Sequence, residues 1–259
     1  MKSQLSIVEK RAISSKNLQN RLSINKKLGS KDLTKWLFDR YRIKKGDIIL
    51  ELGCGLGNHV LKHAKIVGNK GLILATDYSN KSLNVLKKNL KTKNILVKCI
   101  SMDEIPSYLE TKNIKFDKII SSYALYYAKN PLKVIKDCSK FLKPQGKFLI
   151  TAPCYPHTLT KFALHEKTLP KIAKKYIDFS SKKLSLFLHR NRNKKKIYNF
   201  RNILKFTNLN DLLNFYRSTI FYNKKSEKKL ISLFKVSKKK NNYFNIIKSA
   251  KLYIFFKSK

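Results

Sequence analysis

The stretch "ELGCGLGNHV" at residues 51–60 places Gly53, Gly55 and Gly57 within five consecutive positions of a 259-residue chain that contains only eight glycines. Glycine costs backbone entropy on folding, so a concentration of it marks a place where the chain turns tightly or lets a ligand approach the main chain. The residues before it, "DIILEL" (47–52), read as a buried strand, and from Gly57 onward the spacing reads as a helix. A turn from the carboxyl end of a strand into a helix start is where an open parallel sheet accepts ligands, and the exposed helix N–H groups there favour the ligand's negative end.

The surrounding region repeats this alternation. Short apolar runs at 71–77, 95–100, 115–122 and 146–152 read as four more strands, separated by amphipathic helices such as Asn80 to Leu90 and 130–144, the latter with Pro131 in its first turn and stopped before Pro144. Strands alternating with helices predict an α/β domain with a parallel sheet. Ahead of it, "DLTKWLFDRYRIKKG" (32–46) carries Leu33, Trp36, Leu37 and Tyr41 at helical spacing, with Trp36 expected as an anchor in the core. Behind it, 158–189 reads as one or two basic helices broken near Pro170, 197–208 as a strand and loop, 209–217 as a helix and 251–257 as a closing strand.

Spacing alone does not name the ligand. A dinucleotide fingerprint wants GxGxxG, and the stretch departs from it; a phosphate loop wants a following Gly-Lys-Ser/Thr, which is absent. Asp77 ends the second strand 24 residues after Gly53, where a carboxylate can accept hydrogen bonds from both hydroxyls of a ribose. NAD and S-adenosylmethionine both fit so far. Glu51 shifts the balance: an acidic side chain just ahead of the glycines repels a pyrophosphate and suits a cofactor that carries an ammonium and a sulfonium.

Taken in order, Glu51, Gly53, Gly55, Gly57, Asp77, "FDKIISSYALYYAKNP" (116–131) and "FLKPQGKFLI" (141–150) resemble the class I S-adenosylmethionine-dependent methyltransferases, in particular the small-molecule branch of the ubiquinone and menaquinone enzymes. The resemblance covers about 32–152. It implies a Rossmann-like seven-stranded sheet with helices on both faces, followed by a basic, partly helical C-terminal region. It also implies that Glu51 and the main chain at Gly53, Cys54, Gly55 and Gly57 hold the methionine part of S-adenosyl-L-methionine. Asp77 would take the ribose, Tyr78 would flank the adenine, Ser101 and Met102 would meet its polar edge, and Ser121 would lie near the methyl donor. Ser101 stands where the family often has Asp, and "KPQG" (143–146) where it often has Lys-Pro-Gly-Gly.

The acceptor side is less defined. Tyr123 and Tyr126 follow the fourth strand and are candidates for lining the acceptor; with His157 and His165 they are also candidates for a general base, which is needed only if the acceptor must lose a proton. Tyr216 and Arg217, in "FTNLNDLLNFYRSTIFYN" (206–223), suit a polar or anionic acceptor. The Asn/Asp-Pro-Pro-Tyr/Phe stretch of adenine amino methyltransferases is absent, the position reading Ser121-Ser122-Tyr123-Ala124. Cys154 is expected to be a packed thiol, and His59 and His63, four apart, to lie on a helix surface or partly in the core without a third metal ligand.

Three segments are therefore expected: an arm or helix at 1–31, the cofactor-binding core at 32–152, and substrate-covering helices with closing strands of the same domain at 153–259. The four cysteines have no CxxC spacing and the chain opens without a secretory pattern, which points to a cytoplasmic protein. Charge is the outlier, at +43, with 25 basic against 3 acidic residues in 171–259 and 33 against 12 in 1–170. Such a field attracts polyanions, which keeps an RNA methyltransferase, through "RNRNKKK" (190–196), as the alternative to a small-molecule enzyme. A non-catalytic binding protein of the same fold and an NAD-dependent oxidoreductase are the remaining readings, opposed by the intact Glu51, glycines and Asp77 and by the missing GxxG spacing.

Overall fold

The strands Ile48–Leu52, Leu72–Asp77 and Phe116–Ser122 at the centre of the sheet are buried along nearly their whole length, as parallel strands covered on both faces require, whereas Ile95–Cys99 at its edge buries only Ile95. The computed structural model describes residues 10–11, 14–190 and 194–256. Its strands are β1 (Ile48–Leu52), β2 (Leu72–Asp77), β3 (Ile95–Cys99), β4 (Phe116–Ser122), β5 (Leu142–Cys154), β6 (Lys195–Phe206) and β7 (Phe244–Phe256). They form one seven-stranded sheet in the order β3-β2-β1-β4-β5-β7-β6. The first five pair in parallel, with Ile49 opposite Ile73, Ile73 opposite Ile95, Leu50 opposite Ile119 and Ile119 opposite Phe148. The expected α/β, Rossmann-like seven-stranded sheet is the fold observed.

The helices among the described residues are α1 (Ser15–Leu28), α2 (Leu33–Tyr41), α3 (Asn58–Val67), α4 (Asn80–Lys88), α5 (Ile105–Glu110), α6 (Pro131–Ser139), α7 (Thr158–His165), α8 (Lys171–Asp178), α9 (Leu184–Arg190), α10 (Leu209–Ser218) and α11 (Lys224–Asn241). Their starts are chemically marked: Ser14, Ser79, Asn130, Asn208 and Asn223 each accept a main-chain N–H at the first turn of α1, α4, α6, α10 and α11.

The chain gathers into two compact units. One comprises 34–153, 178–199 and 250–259, and its core holds Leu37, Ile49, Leu74, Ile119, Phe148 and Leu149. The other comprises 1–33, 154–177 and 200–249 and closes around a cluster that includes Leu159, Leu204, Phe206, Leu212, Phe215 and Tyr216. Residues 153–259 thus divide between the units.

Three elements differ from their sequence reading. The sixth helix ends at Ser139, five residues before Pro144, because the Phe141 carbonyl accepts from Phe116 N (2.8 Å) and Leu142 pairs with Phe116. The turn at 143–146 is then a bulge inside β5, between the Phe116–Leu142 and Lys118–Lys147 pairs. The 18-residue α11 occupies a stretch to which the sequence reading assigns no element. Trp36 is only half-buried; the guanidinium of Arg40 lies 4.2 Å over its ring, while Leu37 and Tyr41 fill the core.

Candidate functional site

The turn after β1 keeps three glycines because its backbone leaves no alternative. Gly53, Gly55 and Gly57 have φ of +73°, +56° and +79°, the left-handed region that side chains resist. A Cβ at Gly53 would overlap Ala124 Cβ and lie 2.6 Å from Met102 Cε, and one at Gly57 would run into the side chain of Leu86. The turn is tied to β2 through Thr76, whose carbonyl accepts from Gly53 N (2.8 Å) and Cys54 N (2.9 Å). Gly57 then opens α3.

Asp77 sits at the carboxyl end of β2, half-buried, with Oδ2 accepting from Gly55 N (2.7 Å) and Oδ1 from Ser79 N (2.8 Å). Burial raises its pKa, and the main-chain donors at Ser79, Gly55 and Tyr78 oppose that rise. Glu51, next to the turn on β1, is 3% exposed, and its Oε2 lies 3.2 Å from His63 Nδ1. Burial, reinforced by the carboxylates of Glu51 and Asp77, pushes the Cys54 thiol far up, so it stays protonated. Two carboxylates therefore flank the glycine turn. This pair of acceptors fits hydroxyls and a cation and opposes a pyrophosphate.

The other expected cofactor residues lie on the same unit. Ser121 is fully buried and its hydroxyl donates to Leu52 O (3.2 Å). Tyr78 is 60% exposed beside Asp77, which leaves a ring face open. Ser101 caps the short turn Met102–Glu104, with its Oγ accepting from Asp103 N (3.4 Å) and its N donating to Glu104 Oε2 (3.3 Å). Tyr123 adopts φ 55°, with its N donating to Thr151 O (2.8 Å), and Tyr126 is buried.

The remaining candidates have other surroundings. His157 belongs to the second unit, is buried beside Phe221 (ring centroids 5.1 Å apart), and has its pKa lowered to about 3 by burial and by Lys248. His165, in the same unit, is exposed and pairs with Glu166 (2.9 Å). Tyr216 is fully buried, accepting from Asn223 N at 3.1 Å, and Arg217 donates to both carboxylate oxygens of Glu227 (2.9 and 2.5 Å). Cys154 is buried.

His63 is the residue that sequence reasoning missed. It was expected on a helix surface or partly in the core, but it is fully buried, stacked on Phe38 (4.5 Å, 27°) and joined to Glu51. Its position on the helix that starts at the glycine turn, 12 residues after Glu51 in the chain, was the available signal.

A family model described as "Methyltransferase domain" matches residues 43–214. The chain belongs to that methyltransferase family. The match runs from just before β1 to the middle of α10, and so contains the glycine turn, Glu51 and Asp77. Among curated relatives, a probable cobalt-precorrin-6B C(15)-methyltransferase (decarboxylating) of Saccharolobus solfataricus is 36% identical over 31% of this chain and 41% of its own length. A demethylmenaquinone methyltransferase of Lactobacillus johnsonii is 27% identical over 54% of this chain and 59% of its own. The chain thus spans about half the length of these relatives. Among solved structures, phosphoethanolamine N-methyltransferase 2 of Haemonchus contortus, in complex with S-adenosyl-L-methionine, has a TM-score of 0.61 at 14% identity, covering 100% of this chain and 61% of that one. The methyltransferase domain here accordingly has the fold of the S-adenosylmethionine-dependent enzymes.

Proposed function

We propose that the protein transfers a methyl group from S-adenosyl-L-methionine to a small-molecule acceptor, with Glu51, the turn 53–57 and Asp77 as the cofactor site. The observation that carries this reading is the pair of carboxylates, Glu51 and Asp77, on either side of a turn whose glycines expose its main chain. The bound cofactor supplies a methyl group on a sulfonium, already activated for in-line attack.

The chain's own part is alignment and the exclusion of water. Asp77 presents oxygens to the ribose hydroxyls from a position fixed by Gly55 and Ser79. Glu51 offers a buried carboxylate to the ammonium. Tyr78 offers an exposed ring to the adenine, with Ser101 and Met102 at its edge. Tyr123 and Tyr126 directly follow β4 and would line the acceptor. His157 is neutral and enclosed, and His165, Tyr216 and Arg217 hold structural partners, which favours an acceptor that needs no strong base from them. The named relatives act on unlike compounds, a cobalt-precorrin and a demethylmenaquinone, so the acceptor is put forward only as a small molecule. No helix among the described residues is long and apolar enough to cross a membrane.

Titration calorimetry with S-adenosylhomocysteine tests the site. Asp77→Ala is expected to weaken binding at least ~tenfold, the size of a charge-assisted hydrogen bond, and equal affinity in the two proteins would sink the assignment. The RNA reading rests on charge alone, and residues 191–193 of "RNRNKKK" lie outside the described residues. It would gain if RNA affinity fell steeply with salt and depended on Lys194, Lys195 and Lys196.

A further inference from the structure

Glu51 is almost completely buried, and a carboxylate in that position needs a hydrogen-bonding partner. The described side chain that meets it is His63, whose Nδ1 lies 3.2 Å from Glu51 Oε2. Because an ionised carboxylate only accepts, Nδ1 carries the proton. The other ring nitrogen, Nε2, is buried with no hydrogen-bond partner among the described residues. On its flat side the ring stacks on Phe38, and Tyr41 lies nearby (ring centroids 5.8 Å apart), its hydroxyl 3.2 Å from Thr151 Oγ1. An aliphatic or aromatic side chain would suit this enclosure better than an imidazole with an orphaned nitrogen. Among the described residues, the imidazole's hydrogen-bond partner is Glu51.

We propose that His63 is a positioning residue for cofactor recognition: its Nδ1–H fixes Oε2 of Glu51 and so presents Oε1 to the ammonium group of the methionine moiety. The inference rests on the cofactor reading given above and adds a residue to it. Glu51 extends from β1 and His63 from α3, the two elements joined by the glycine turn, so the same turn that brings the main chain to the ligand also sets the carboxylate's orientation. Buried side chains with a single hydrogen-bonded partner lose most of their rotamer freedom before the ligand arrives, which reduces the ordering cost on binding.

The test compares S-adenosylhomocysteine, which has the ammonium, with 5′-methylthioadenosine, which lacks the amino acid part, by calorimetry. His63→Leu is expected to weaken S-adenosylhomocysteine ~tenfold, the size of one charge-assisted hydrogen bond, while 5′-methylthioadenosine binds within about twofold of wild type. His63→Asn places an amide N–H near the Nδ1 position and is expected to restore most of the affinity. His63→Gln places it near Nε2 and is not. Should the Leu variant fail to fold, the Asn and Gln variants decide: equal affinity for S-adenosylhomocysteine overturns the proposal. A Leu variant that loses both ligands equally, or neither, overturns it as well. A wild-type chain that binds neither compound overturns the cofactor reading and the role of His63 together, whereas failure of the His63 variants alone leaves that reading standing.

Discussion

Gln145 shows how much a single backbone angle can matter. It has φ 62° in the bulge of β5, where a Cβ is costly, and a Cβ added at its neighbour Gly146 would lie 2.9 and 3.0 Å from the carbonyl oxygens of Lys143 and Phe116. The left-handed region costs a non-glycine residue ~1–2 kcal/mol, and glycine gives back ~0.5–1 kcal/mol in entropy. Gln145→Gly is therefore expected to stabilise the protein by about 0.5–1 kcal/mol, read as a higher denaturant midpoint at unchanged slope. His157 supplies a second test at this scale. Its pKa falls from 6.5 to about 3 on folding, so the unfolded chain takes up a proton as pH drops below about 6.5 and the folded one does not. The stability it permits is complete above pH 6.5 and is lost as pH falls toward 3. Between pH 7 and pH 4 wild type should lose on the order of 2–3 kcal/mol more than His157→Gln, measured by denaturation at each pH. Among single residues, the placement of Glu51 on β1, of the three glycines in the turn and of Asp77 at the end of β2 was legible because it depends on local spacing. His63 was not, because what distinguishes it is a partner on another element, and a helix sequence does not say which face meets a strand.

At the level of elements, β1 and β4 are stapled at the edge away from the glycine turn. Lys118 Nζ on β4 donates to Oδ2 of Asp47 just before β1, with side chains only 7% and 10% exposed, and Asp117 accepts from Ile48 N and Lys143 Nζ, both at 2.8 Å. Removing one partner of a buried pair leaves the other's charge uncompensated, so Lys118→Met is expected to cost about 3 kcal/mol in denaturant unfolding. The first four strands were readable to within a residue or so because continuous apolar runs bounded by turn residues have few alternatives. The end of α6 was misread, since Pro144 forbids helix but does not say where helix stops; β4 competes for the Phe141 carbonyl and ends it earlier. Helix α11 was hidden by its own lysines: Lys224, Lys225, Lys228, Lys229, Lys235 and Lys238–Lys240 leave Leu230 and Phe234 as its buried apolar side chains, too few for periodicity to stand out.

Over the whole molecule the charge of +43 sets the tone. Like charges at this density repel in the folded state, and the repulsion reaches ~30 Å at 0.01 M salt but only ~10 Å at 0.1 M. The thermal midpoint is expected to rise by several degrees between 10 mM and 300 mM sodium chloride; a flat response would mean that the lysines are spaced widely enough to ignore one another. The charge excess was plain in the sequence, whereas the division into two units was not, because it follows which segments pack together rather than where composition changes. In this division the path of the chain passes back and forth, and strand β7 contributes 244–249 to one unit and 250–256 to the other. On the sheet, β7 is the neighbour that covers β5. A nascent chain emerging from the ribosome therefore carries β5 with an open edge throughout the synthesis of the segments that separate the two strands, and an open edge is a template for pairing with other chains. That edge of β5 waits for its neighbour until β7, Phe244–Phe256, has been made.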